Sequence, residues 1–225
     1  MLDQRPRGYA ELMSDAARHD QKAEHHDKAA AELPRAQSPE NYACGDSVLN
    51  DQQTTGAEPI TSWMPCWDPE EEALEAHRSA AAHERRTARE ERAQAVALAR
   101  IELASCRGIP PRELAHSPLV HRKAIAEVIA HDESGEPRGV HIIFKPVAGL
   151  NARWMERAIA CHRARAAVLG QEGGSPDPTL VPGAEVTVTE DRGRVHVYIH
   201  TADSDSGALA LSRARALAGS QTATR

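Results

Sequence analysis

The segment NARWMERAIACHRARAAVL, residues 151–169, is the most informative part of the sequence about the fold. It has the pattern of one amphipathic helix and lies between two pairs of strand-like segments. At 100° per residue its large apolar side chains fall on one side and most of its charged side chains on the other. Asn151 is suited to cap the first turn, and Gly170 can end the helix in a left-handed conformation. The segment therefore predicts a helix that buries one face.

The flanking segments alternate apolar and polar residues, as half-buried strands do. Strand pairs are predicted at 125–131 with 140–147 and at 185–190 with 195–201, and a last helix at about 204–218. Two consecutive strand–strand–helix units most simply form an antiparallel four-stranded sheet with both helices on one face. The sequence thus predicts an α+β fold, a ββαββα two-layer sandwich.

The N-terminal half has a different, alanine-rich pattern. Residues 9–33 and a long stretch from Pro69 have the pattern of helices, and small residues recur every seven positions in the second stretch. Small residues let two helices approach closely, which favours an antiparallel helical hairpin. The predicted organisation is a hairpin at 1–108 with a cysteine-containing loop at 34–68, a connector at 109–123, the ββαββα domain at 124–218 and a disordered tail at 219–225.

Charge and hydropathy exclude two classes of partner. The net charge of −6 over 225 residues argues against a general nucleic-acid-binding protein, because neutralising phosphates requires a basic surface. No apolar run approaches the roughly 18 residues of a membrane-spanning helix, and the N-terminal MLDQRPRGYAELM lacks the apolar region of a signal peptide. We therefore expect no nucleic-acid partner and no transmembrane segment.

The four cysteines, Cys44, Cys66, Cys106 and Cys161, show neither a CxxC motif nor zinc-finger spacing. An even number of cysteines is most simply explained by disulfide bonds. Of the three pairings we prefer Cys44–Cys66 with Cys106–Cys161, because one bridge closes a local loop and the other joins the two halves. Disulfides persist in oxidising compartments, so we expect a periplasmic or envelope protein whose leader precedes this sequence. The alternative is a cytoplasmic protein.

No motif predicts a catalytic residue. The chain contains no GxSxG, P-loop or GxGxxG sequence. Cys161 and His162 are adjacent but diverge by about 100° around a helix, so they do not form a nucleophile–base pair by themselves. His162 falls near the middle of the apolar stripe, where it faces either the core or a pocket. Thiol redox chemistry through Cys161 is a further hypothesis.

The predicted sheet offers a candidate ligand surface. Its outward positions carry His141, His196, Tyr198 and His200, and His162 is a further candidate on the helix. Zinc and copper are the candidate ions because imidazole suits both. His196 and His200 are about 13 Å apart along one strand, too far to share an ion, so a metal site needs residues from neighbouring strands. The competing interpretation is that these histidines are solvated surface residues without a cofactor.

Residues 101–169 carry a resemblance. IELASCRGIPPRELAHSPLVHRKAIAEV and FKPVAGLNARWMERAIACHRARAAVLG combine a cysteine before a proline-bearing link, His-Ser-Pro followed by His-Arg, and a helix with Trp and Cys-His. This combination resembles uncharacterised envelope proteins or lipoproteins of myxobacterial-type bacteria. The resemblance implies an envelope location and brings no activity. This sequence departs from the pattern because it has no visible leader or lipobox.

Together these observations predict a non-catalytic envelope protein that binds or scaffolds an unknown envelope partner. Its membrane anchoring would depend on a lipidated leader that is missing from this sequence. The alternative prediction is a metal-binding or small-ligand-binding protein that uses the histidine-bearing face of the sheet.

Overall fold

The computed structural model describes residues 6–33, 69–110, 113, 117–120, 122–133, 135–171 and 175–219. In chain order their helices and strands are α1 (Tyr9–Glu32), α2 (Pro69–Ser105), β1 (Ile125–Glu133), β2 (Glu136–Phe144), α3 (Ala152–Val168), β3 (Glu185–Asp191), β4 (Arg194–His200) and α4 (Ser204–Gly219). This order confirms the predicted α+β class. Cys44, Cys66, the loop predicted at 34–68 and residues 220–225 of the predicted tail lie outside the described residues.

The chain divides into two compact units. One is Asp15–Glu91, and the other joins the residues that precede Asp15 to those that follow Glu91. The predicted domain boundaries at 108 and 124 stay a prediction.

The described residues of the Asp15–Glu91 unit form an antiparallel helix pair with a seam of small residues. The alanines among them that are at most 1% exposed are Ala16, Ala23, Ala81 and Ala88. Each pair within one helix is seven residues apart, so the methyl groups repeat along one face of each helix. A seam without long side chains lets the two backbones come close together, as the sequence pattern predicts.

The other unit contains the sheet and its core. The strands are antiparallel in the order β1-β2-β4-β3, and α3 and α4 cover the same face. Helix α4 packs mainly on β2 and β1, and α3 contacts β3 and β4. The apolar residues between the two layers include Val140, Ile142, Phe144, Met155, Ile159, Val195, Val197, Ile199, Ala210 and Ala214, all at most 3% exposed.

Helix α3 follows its sequence pattern closely. The side-chain oxygen of Asn151 accepts a hydrogen bond from the backbone N–H of Trp154 at 2.9 Å, which satisfies one of the free amides of the first turn. Met155, Ile159 and Cys161 are buried on the face that was predicted to be apolar. Gly170 has a φ of 65°, the left-handed conformation expected after the helix.

The first hairpin differs from the sequence prediction at both ends. β1 continues to Glu133 and β2 begins at Glu136, so both strands extend beyond the predicted ends at 131 and 140. Gly135, with a φ of 84°, allows the tight turn between them. β2 ends at Phe144 instead of residue 147, because Pro146 cannot donate a hydrogen bond to a ladder.

Candidate functional site

The outer face of the sheet, opposite α3 and α4, holds the predicted histidines. The β2–β4 register places Ile143 opposite His196, His141 opposite Tyr198 and Gly139 opposite His200. His131 of β1 lies opposite Gly139 from the other side. We call the set His131, His141, His196, Tyr198 and His200 the imidazole face. It contains all four predicted sheet residues and His131, which the sequence analysis did not single out.

His141 lies at the centre of a stacked group. Its Nε2 is 3.0 Å from Nδ1 of His196, and the two rings are 5.1 Å apart and inclined by 26°. The ring of Tyr198 lies 4.1 Å from that of His141 on a nearly parallel plane. His141 and His196 are half-buried, and Tyr198 is exposed. The three rings therefore form a continuous aromatic patch across β2 and β4.

Burial and the neighbouring His196 lower the pKa of His141, in that order of size. Both effects disfavour the charged imidazolium. His141 is therefore neutral near pH 7, and one of its ring nitrogens can accept a hydrogen bond or bind a metal. The Nε2 atom of His196 is buried and has no hydrogen-bond partner among the described residues. The two rings therefore bring polar nitrogen atoms into the aromatic patch.

His200 belongs to a second group. Its ring meets that of His131 edge to face, with centroids 5.6 Å apart, although β1 and β4 are separated by β2. Gly139 lies between the two histidines in the register and has no side chain to fill the gap. A Cβ at Gly139 would lie 2.0 Å from the carbonyl oxygen of Ile199, and its φ of 155° also disfavours other residues. A glycine is therefore required where the rings meet.

The stacked group around His141 and the His131–His200 pair do not together form a recognisable metal centre. Among the described residues no group of three or more His, Cys, Asp or Glu side chains could hold a metal ion. His141 and His196 supply two nitrogens, so a zinc or copper ion there would need further ligands from water or a partner. The imidazole face can accept and donate hydrogen bonds, stack on aromatic groups and offer two nitrogens to an ion.

His162 lies away from this face, in a buried polar cluster. Its Nε2 is 3.2 Å from Oδ2 of Asp177, an ion-pair contact that misses hydrogen-bond geometry. The hydroxyl of Ser117 donates to the same oxygen, while the N–H and hydroxyl of Thr179 donate to Oδ1 at 2.8 and 2.6 Å. We call Ser117, His162, Asp177 and Thr179 the Asp177 cluster.

The Asp177 cluster has the residue types of a catalytic triad but not its arrangement. In a triad the histidine lies between the hydroxyl and the carboxylate, so that it can take the proton of the hydroxyl. Here Asp177 lies between Ser117 and His162, and its carboxylate accepts the hydrogen bond from the Ser117 hydroxyl directly. The cluster instead joins three segments of the unit: the link at Ser117, helix α3 and the turn at Pro178–Leu180.

Cys161 is joined to Cys106, which confirms the predicted pairing of these two cysteines. The bridge connects α3 with the residue that follows α2, and Cys161 is buried. Among the described residues no cysteine is free.

An apolar pocket of about 290 Å³ is a site that the sequence analysis missed. Phe144, Leu150, Trp154 and Met155 line it together with Pro118 and other small apolar residues. Its walls come from the end of β2, the start of α3 and the link before β1. The signal in the sequence was Trp154, a large aromatic residue at the start of a helix, but the pattern alone assigned it to the core.

The described helices include none that is long and apolar enough to cross a membrane. No family model matches the chain, and comparisons with curated proteins and with solved structures find no matching protein.

Proposed function

We propose that this chain is a non-catalytic binding or scaffold protein of the cell envelope, and that the imidazole face is its binding surface. The observation that supports this proposal is the concentration of rings on one sheet face. Tyr198 and His200 are exposed, and Ile129 beside them is 39% exposed. Aromatic side chains are enriched in protein interfaces, where they bury a large area and keep a polar end for hydrogen bonds.

The Cys106–Cys161 bridge supports the proposed location in the cell envelope. Disulfides form and persist in oxidising compartments and are rare in reducing ones. A periplasmic or envelope location is thus part of the proposal. Anchoring through a covalently attached lipid is the corresponding proposal for membrane attachment.

A photo-crosslinking experiment in the native host tests the binding surface. Thr187 is exposed and lies opposite Tyr198 in the register, so p-benzoylphenylalanine at position 187 borders the imidazole face. We expect a discrete crosslinked product from position 187 that is lost when His141→Ala and Tyr198→Ala are added, because these changes remove the stacked rings. The control is the same photo-reactive residue at exposed Arg215 of α4. Equal products from both positions, or none from position 187 in a folded chain, would contradict the proposal.

The alternative is a metal-binding or small-ligand-binding protein that uses the same face. The 3.0 Å approach of two imidazole nitrogens, one of them on a ring that is neutral near pH 7, favours it. The zinc and copper content of untagged protein separates the two proposals. A stoichiometric ion that is lost with His196→Ala and retained with His200→Ala would establish the alternative, since His200 pairs with His131. Protein that holds less than a tenth of an equivalent would argue against it.

A further inference from the structure

A third pair of imidazoles lies within the Asp15–Glu91 unit. Nδ1 of His26 in α1 is 3.3 Å from Nδ1 of His77 in α2, and the ring centroids are 5.5 Å apart. Both side chains are half-buried. This pair is separate from the imidazole face and has no role in the proposed function.

The His26–His77 contact is one of two contacts that repeat at a seven-residue interval along the two helices. His19 and His26 are seven residues apart on α1, and His77 and Glu84 are seven residues apart on α2. His19 contacts Glu84, and one seven-residue interval away on each helix His26 contacts His77. A carboxylate pairs well with an imidazole because it accepts a hydrogen bond from the ring N–H. Two imidazoles facing each other leave at least one ring nitrogen with a lone pair, and such a nitrogen is a metal ligand.

The spacing of the two nitrogens fits one ion. Zinc holds imidazole nitrogens at about 2.0–2.1 Å in a tetrahedral arrangement, which puts two such nitrogens about 3.3–3.4 Å apart. The His26–His77 distance of 3.3 Å matches this value. The two ring planes are inclined by 43°, and a rotation of the side chains is needed to aim both lone pairs at the ion.

The helices hold this pair in place independently of any ion. Ala23 and Ala81, both at most 1% exposed, form the seam beside it. An ion pair between Asp27 and Arg85 links the same two helices nearby. Because neighbouring contacts already fix the helices, little ordering is needed before His26 and His77 can bind together.

We propose that His26 and His77 bind a divalent transition-metal ion of the zinc type through their Nδ1 atoms. Water completes the coordination shell, since two protein nitrogens are fewer than zinc usually takes. The ion links α1 to α2 and stabilises the helix pair, because a ligand that binds only the folded state raises its stability.

A zinc titration of the full chain tests this proposal. The parent protein carries His141→Ala and His196→Ala, so that the imidazole face does not contribute, and it is treated with a chelator first. Calorimetry should show one Zn²⁺ fewer for His77→Gln or His26→Gln than for this parent. Glutamine keeps the helix propensity and polarity but is a poor zinc ligand. The control is His83→Gln, which changes an exposed histidine of the same helix and should bind like the parent.

Thermal unfolding gives a second readout. Zinc at about ten times its dissociation constant should raise the melting temperature of the parent by about 4 °C. The rise should disappear in both glutamine variants, because each lacks one of the two ring nitrogens that hold the ion. Equal zinc stoichiometry and equal melting shifts in His26→Gln, His77→Gln and His83→Gln, or the lack of any shift in the parent, would overturn the proposal.

Discussion

Replacing Cys106 and Cys161 together by alanine is expected to lower the free energy of unfolding of the sheet-containing unit by about 4 kcal/mol. The bridge joins residues 55 positions apart, and in the chain-entropy model closing a loop of this length removes about that much freedom from the unfolded chain. A loss of this size is a large part of the stability of an ordinary domain.

Amide hydrogen exchange in β4 measures this loss of stability in the core of the unit. Val195, Val197 and Ile199 are at most 1% exposed, so their amides report the opening of the core. Wild-type protein under reducing conditions is the control and should exchange at the rate of the double variant. A loss smaller than about 1 kcal/mol would show that the bridge contributes little beyond the contacts around it.

Asp177→Ala is expected to destabilise the same unit by about 3–5 kcal/mol. Its carboxylate is buried and accepts from the Ser117 hydroxyl and from both donors of Thr179, which is itself fully buried. Alanine would leave these donors without their acceptor and remove the partner of His162. Asp191→Ala, which removes an exposed carboxylate at the end of β3, is the matched control and should change the stability by less than about 0.5 kcal/mol.

The pH dependence of the free energy of unfolding tests whether the ionised Asp177 carboxylate causes this loss of stability. Burial raises the pKa of Asp177, but His162 and the hydrogen bonds from Ser117 and Thr179 outweigh burial and hold the pKa below its ordinary value. A carboxyl with a lowered folded pKa stabilises the fold above its unfolded pKa, near 4, and this stability is lost as the pH falls through the folded value. In urea unfolding from pH 6 to pH 2.5, the difference between wild type and Asp177→Ala should therefore shrink below about pH 4. A difference that stays constant across this range would argue against a role for the ionised carboxylate.

Periodicity was sufficient to predict the order of the helices and strands, although not the ends of β1 and β2. The alternation Val195, Val197, Ile199 fixed which face of β4 is core, and the seven-residue spacing of alanines identified the seam of the helix pair. These signals are local, because each is carried by residues within one helix or strand. The Cys106–Cys161 pairing was also within reach, since only three pairings of four cysteines exist.

Contacts between distant segments could not be predicted from these patterns. The meeting of His131 with His200 depends on the register of three strands and on Gly139 between them, and no local pattern specifies that register. The position of His162 beside Asp177 depends on how the turn at 178–180 packs against α3. For the same reason the sequence placed His162 on an apolar stripe without identifying its polar partner.

The envelope proposal depends most on the oxidation state of the cysteines in the cell. The direct measurement is a thiol titration of the denatured protein, taken from its native host with free thiols blocked at lysis, before and after reduction. We expect Cys106 and Cys161 to be unreactive before reduction and to react only after it. Free Cys106 and Cys161 thiols before reduction would contradict the bridge in the living cell and, with it, the proposed envelope location.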